Sequence, residues 1–249
     1  GWFGPSDQRG HGPSAVIRVR VQVRASPLAY RVFVRASDGA VLGREQLVRF
    51  ASATFLGNVP ERAPALGTRI DVPLVLTNTN IDAAAQKTGL SGEVSWAGPG
   101  PASAQVLLFG DRARALNDVG PEATLDLSID DGMSYAWNAA GDEVVDAQVS
   151  AYVHAGLIRE YARTFAPTVS FLNQQVKATV NIDDVCNAFS DGTTINFFQS
   201  GQGCENTALL ADVVYHEFGH ALHFHSIIEG VGDFDGALSE GISDFLAAT

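Results

Sequence analysis

Residues 213–226, VVYHEFGHALHFHS, set His216 and His220 four positions apart among apolar neighbours. On a helix of about 3.6 residues per turn, side chains at that spacing lie one above the other on one face, so two imidazoles converge on one point. Glu217 follows the first histidine, turned about 100° around the axis, which sets its carboxylate beside that point rather than on it. Two nitrogen donors with an adjacent carboxylate are the parts of a metal site that carries a base for a bound water. The competing reading is a packed helix that happens to contain histidines.

The stretch ALSEGISDFLAA, residues 237–248, separates the two. A catalytic zinc takes three protein ligands and keeps one position for water, so the histidine pair is one ligand short. Glu240 is the candidate third. Asp244 lies four residues further on the same helical face, suited to accept a ligand histidine's other N–H and orient the ring. Leu238, Ile242, Phe245 and Leu246 form the apolar face of that segment, and Gly230, Gly232 and Gly236 supply the reversal before it. The expectation is two antiparallel helices with a site between them.

HEFGH followed after nineteen residues by EGISD resembles the gluzincin zinc metallopeptidases, and most closely the thermolysin-like and fungalysin-like families with their HExxH and ExxxD motifs. NAFSDGTTINFF, residues 187–198, is similar to the segment in which an Asn-Ala pair precedes the strand lining their substrate cleft. The resemblance implies His216, His220 and Glu240 as ligands of Zn2+, Glu217 as the catalytic carboxylate, Asp244 behind a ligand histidine, and Asn187 with Ala188 as substrate contacts. It implies hydrolysis of peptide bonds in protein or peptide substrates, by a zinc-activated water with Glu217 as general base and no acyl-enzyme. Asp212, four residues before His216, stands where a Ca2+-binding aspartate stands in thermolysin-like enzymes. The pattern departs from the family in one place: residues 226–239 contain no Tyr, and Val231 occupies the position at which a Tyr would help stabilise the tetrahedral intermediate. That absence keeps open a zinc-binding surface or assembly module without peptidase activity. A β-rich binding domain with an incidental HExxH is the third reading, opposed by the spacing of Glu240 and Asp244.

The elements that would position these residues read as an α+β chain with a β-rich N-terminal half, and the resemblance implies that this half leads into the N-terminal part of a thermolysin-like catalytic domain with its zinc-binding helix pair. AVIRVRVQVRA, residues 15–25, alternates apolar and polar residues as a half-buried antiparallel strand does. Residues 30–48 read as two more strands around the Asp38-Gly39 turn, either an ordinary hairpin or, since the pattern resembles it, the end of the propeptide that precedes such catalytic domains, which would imply a zymogen. Strands are expected at 70–78, 92–97, 104–109, 123–129, 176–182 and 194–198, with residues 97–103, AGPGPAS, as an exposed loop. A helix begins near Asp142, where Val145, Val149, Val153, Leu157 and Tyr161 recur every four residues, and ends at Pro167. The expected divisions are 1–50 as propeptide tail, 51–140 as a β-rich region and 141–249 as the zincin part. His11 and His154 have no supporting neighbours in sequence, with His154 expected on its helix surface, while His223 and His225 suit surface or packing roles.

Composition narrows the partners. With 249 residues, 46% hydrophobic, the chain can bury one large core or two modest ones. A net charge of −12 argues against a nucleic-acid surface, which needs clustered cations. No apolar run approaches the roughly 18 residues of a membrane span. Cys186 and Cys204 fall in no CxxC pair and outside the histidine motif, which suits a structural disulfide better than metal ligation and points to an oxidising location: secreted or extracellular, in a periplasm or at a cell surface. The first residue is Gly1 and residues 1–14 hold no hydrophobic signal core, so any targeting segment is expected elsewhere. The resemblance also implies a helical lobe beyond Thr249, the remainder of the catalytic domain, as an intramolecular partner.

Overall fold

The computed structural model describes residues 15–24, 28–98 and 100–248, so His11 lies outside the described residues. The chain divides into two compact units, residues 1–51 with 96–99, and residues 52–95 with 100–249.

The first unit is an antiparallel sheet in the order β1 (Val16–Gln22), β2 (Ala29–Arg35), β3 (Val41–Gln46), with Asp38-Gly39 in the turn between the last two. Asp38 accepts from the Ala40 N–H and the Arg35 guanidinium, and these bonds hold its carboxyl below the usual range. The alternation in β1 holds, but all seven of its residues are exposed, where a half-buried strand is expected. Alternation fixes which side chains share a face; it does not supply a layer to cover that face.

The second unit holds β4 (Phe50–Pro60) from Ser52 onward, β5 (Arg69–Pro73), β6 (Thr77–Ile81), β7 (Ala84–Lys87), β8 (Glu93–Ala97) as far as Ser95, β9 (Ala102–Gly110), β10 (Ala113–Asn117), β11 (Thr124–Ile129), β12 (Met133–Asn138), β13 (Val176–Ile182), β14 (Ala188–Ser190) and β15 (Thr194–Phe198). Its helices are α1 (Glu143–Phe165), α2 (Ala211–Ser226) and α3 (Gly236–Ala247). One sheet runs β14-β15-β13-β10-β9-β6-β7 with β11 on β9, and a smaller one runs β12-β4-β5 with β8 on β4. The larger sheet takes strands from both sides of residue 140. Its parallel pairs, β10 with β13 and β13 with β15, lie next to the helices, and the antiparallel meander lies beyond. The expected strand at 70–78 is broken into β5 and β6, because Leu76 takes a left-handed φ of 53° that no strand continues through.

Helix α1 begins at Asp142, whose side chain caps the Val145 N–H, and packs against β10 and β13. Its core face is not the every-fourth row. A step of four residues turns about 40° past a full turn, so the row drifts off the face within a few steps: Val149 and Val153 are buried, Leu157 and Tyr161 are exposed, and Ala155, Ile158 and Ala162 replace them inside. Asp146, buried in this helix, takes a two-pronged ion pair from Arg69 of β5 at 2.7 and 3.0 Å.

His154 is fully buried, against the expected surface position. One ring nitrogen lies 2.9 Å from the Pro60 carbonyl and the other 2.9 Å from the Tyr215 hydroxyl, partners too distant in sequence for any local pattern to reveal. Nε2–H donates to the carbonyl and bare Nδ1 accepts from the tyrosine, so both sites are used by the neutral ring. Burial lowers the histidine pKa to about 4. A group whose folded pKa is depressed contributes stability above its unfolded value and loses it as pH falls through the folded one. Stability should therefore decline between pH 6.5 and about 4, with up to about 3 kcal/mol traceable to this group. Denaturant unfolding at pH 7 and 4.5 should show a smaller acid loss in His154→Asn than in the parent; equal losses would contradict the assignment.

Candidate metal centre

Helices α2 and α3 pack antiparallel, and their contact sets the site. Gly219, inside HEFGH, lies so close to α3 that a Cβ there would stand 2.5 Å from the Ser243 Cα and 2.7 Å from its Oγ. Phe218 of α2, whose ring lies against Phe171, and Leu246 of α3 are both buried. The reversal between the helices ends at Asp235, whose carboxylate caps α3 by accepting from the Leu238 N–H at 2.8 Å.

Across this contact three donor atoms meet. His216 Nε2 lies 3.1 Å from His220 Nε2 and 3.2 Å from a Glu240 carboxylate oxygen, which is 3.7 Å from His220 Nε2. Among the described residues, these three form the group able to hold a metal ion. Donor atoms around a tetrahedral ion at about 2.0–2.2 Å stand roughly 3.3–3.6 Å apart, so the triangle fits such a coordination sphere to within a few tenths of an ångström. The outer ring nitrogens fit as well. His216 Nδ1 is 3.1 Å from Asp244 Oδ1, and His220 Nδ1 is 2.8 Å from the Ser239 hydroxyl. With the His216 proton on the Asp244 side, a bare nitrogen faces a carboxylate oxygen, an arrangement that only a proton or a cation between them stabilises.

Glu217 is 6% exposed and points into a cleft of about 590 Å³ beside the cluster. Burial, aided by the Glu240 carboxylate, raises its pKa to about 7, in the range useful for taking and returning a proton. Burial also lowers the pKa of His220, favouring the neutral, ligating form. The same cleft is lined by Asn187 and Ala188 at the start of β14, and by His216, Asp212 and Val213 of α2. Cys186 and Cys204, also on its rim, are bonded to one another with Cα atoms 5.3 Å apart.

Ser239 gave no signal in the sequence, since its role depends on which side of α3 faces His220. Asp212 pairs with Arg62 rather than with a cluster of further acids. His223 and His225 pack, the first against Phe234 with centroids 5.1 Å apart and the second stacked on Phe171 at 4.5 Å. Val231 is 79% exposed in the reversal between the helices.

Residues 122–223 match the family described as thermolysin metallopeptidase, catalytic domain. That span takes in α1, the cleft strands and the histidine pair of α2, and supports a gluzincin, thermolysin-like metallopeptidase assignment. Among solved structures, the precursor of protealysin, a metalloproteinase from Serratia proteamaculans, is similar at 19% identity and a TM-score of 0.38. The alignment covers 53% of this chain and 41% of that one, so the chain spans less than half of that protein. No curated protein matches the chain.

The helix contact yields a direct test. Gly219→Ala must push α2 and α3 apart, because the added methyl meets backbone, and is expected to cost about 1–3 kcal/mol in urea unfolding. A variant as stable as the parent would show that the helices do not pack this closely.

Proposed function

We propose that the protein is a zinc-dependent metalloendopeptidase in which His216, His220 and Glu240 hold the ion and Glu217 is the general base. The observation that carries this reading is the convergence of three donor atoms next to a buried carboxylate in a cleft. Zinc bound there supplies a Lewis acid that brings the pKa of a bound water toward neutrality. Glu217 takes the proton of the attacking water and returns it to the leaving amine, a task that its raised pKa suits. Asp244 and Ser239 fix the two imidazoles by their outer nitrogens. Asn187 and Ala188, at the cleft's edge, bind the peptide. In this reading residues 141–249 carry the zincin part, 51–140 complete its sheet, and 1–50 are the tail of a propeptide. The disulfide accords with a secreted protein. No helix among the described residues is long and apolar enough to cross a membrane.

A second reading, a zinc-binding module without hydrolytic activity, is favoured by Val231 at the position of the family's Tyr. Substitution separates the two. In the intact, zinc-loaded protein, Glu217→Gln should reduce peptide hydrolysis by about 10²- to 10⁴-fold with zinc content unchanged, since the amide cannot take a proton. Asp244→Ala and Ser239→Ala should each weaken zinc affinity by about 10- to 100-fold. Hydrolysis at the parent rate in Glu217→Gln would overturn the mechanism, and a zinc-loaded parent without hydrolysis would favour the second reading.

A further inference from the structure

One wall of the cleft is a short segment with little regular structure of its own. Asn187 precedes the β14 ladder, which begins with Ala188 opposite Phe197. Cys186, just before it, takes a left-handed φ of 62°, a conformation that a non-glycine residue keeps only when its surroundings impose it. Three links tie this segment to the loop that follows β15. Cys186 is bonded to Cys204. The Thr207 hydroxyl, in a side chain 6% exposed, lies 3.0 Å from the Asn187 carbonyl, 3.2 Å from the Phe198 carbonyl and 2.9 Å from the Phe198 N–H. Gly201 packs so tightly on Val185 that a Cβ would stand 2.5 Å from its Cγ1. The same loop runs through the 3-10 turn Thr207–Leu209 directly into α2, the helix of His216 and Glu217.

We infer that the Cys186–Cys204 disulfide and the Thr207 hydroxyl form a clasp that sets the distance between the Asn187–Ala188 wall and α2, and so govern how tightly an extended peptide is gripped. Thr207 is a positioning residue here, and the inference rests on the peptide-cleft reading proposed above. The three metal-holding side chains stand on α2 and α3 alone, so opening the clasp leaves the ion in place while loosening the peptide. Reduction by a dithiol opens it: the dithiol gives two electrons and two protons, Cys186 and Cys204 become thiols, and the dithiol closes to a cyclic disulfide. Cys186 is exposed, within reach of such a reagent.

The test is binding of an unlabelled peptide library's best ligand to the zinc-loaded intact protein carrying Glu217→Gln, followed by calorimetry, with zinc content measured in parallel. Thr207→Val should weaken peptide binding measurably, by up to about 5-fold for each net hydrogen bond that holds the wall in its binding position, and Thr207→Ser should restore it. Reduction with dithiothreitol, or Cys186→Ala with Cys204→Ala, should weaken binding by at least as much without loss of zinc. Equal affinity in the parent, the reduced protein and Thr207→Val would overturn the clasp, as would a parallel loss of zinc. Should the double cysteine variant not fold, the comparison of Thr207→Val with Thr207→Ser decides. If the zinc-loaded parent binds no peptide at all, the cleft reading fails rather than the clasp.

Discussion

The close approach of α2 and α3 at Gly219 is the constraint on which the site depends. Glu240 comes from a different helix than the histidines, and a carboxylate on a neighbouring helix reaches two imidazole nitrogens only if the backbones are near enough for short side chains to meet. A methyl group in place of one hydrogen at Gly219 would fall 2.5 Å from the opposing backbone, so the packing distance is set by that residue rather than by the donors. Ser239 and Ser243, both buried on the facing side of α3, follow from the same closeness, since larger side chains would part the helices. One of the two serines then serves the site through its hydroxyl on His220.

The remaining architecture presents that helix pair to a cleft. Helix α1, buried along much of its length, holds Tyr215 of α2 through His154. The parallel core of the sheet, β10-β13-β15, brings β14 and its preceding loop alongside α2. Burial disfavours the charged form of two groups in this region, moving their pKa values in opposite directions. It makes His154 hard to charge, which suits a structural ring with both nitrogens engaged, and it makes Glu217 hard to ionise, which leaves its carboxyl ready to exchange a proton near neutral pH.

Much of the candidate site was legible in sequence because its parts lie on helices at regular spacing. The pair His216 and His220, and the pair Glu240 and Asp244, are each one helical turn apart, and a turn is a local property that four residues announce. Helix α1 was legible at its ends, from the Asp142 cap and Pro167, but its inner face was not, because a four-residue row drifts and only the sheet beneath decides which neighbours are covered. The partners of His154, the hydroxyl of Ser239 behind His220 and the grip of Thr207 on Asn187 all join residues brought together by the fold. The exposed face of β1 failed for the complementary reason: a pattern of alternation states what a strand could bury, and the covering layer must come from elsewhere.

The proposed site has one ion held by two residues of α2 and one of α3. Anomalous diffraction at the zinc edge, from crystals of the intact protein grown with zinc, tests it most directly. A single strong peak is expected, bonded to Nε2 of His216, Nε2 of His220 and a carboxylate oxygen of Glu240, at about 2.0–2.2 Å from each. A peak elsewhere, or one at the histidines with Glu240 turned away to solvent, would contradict it.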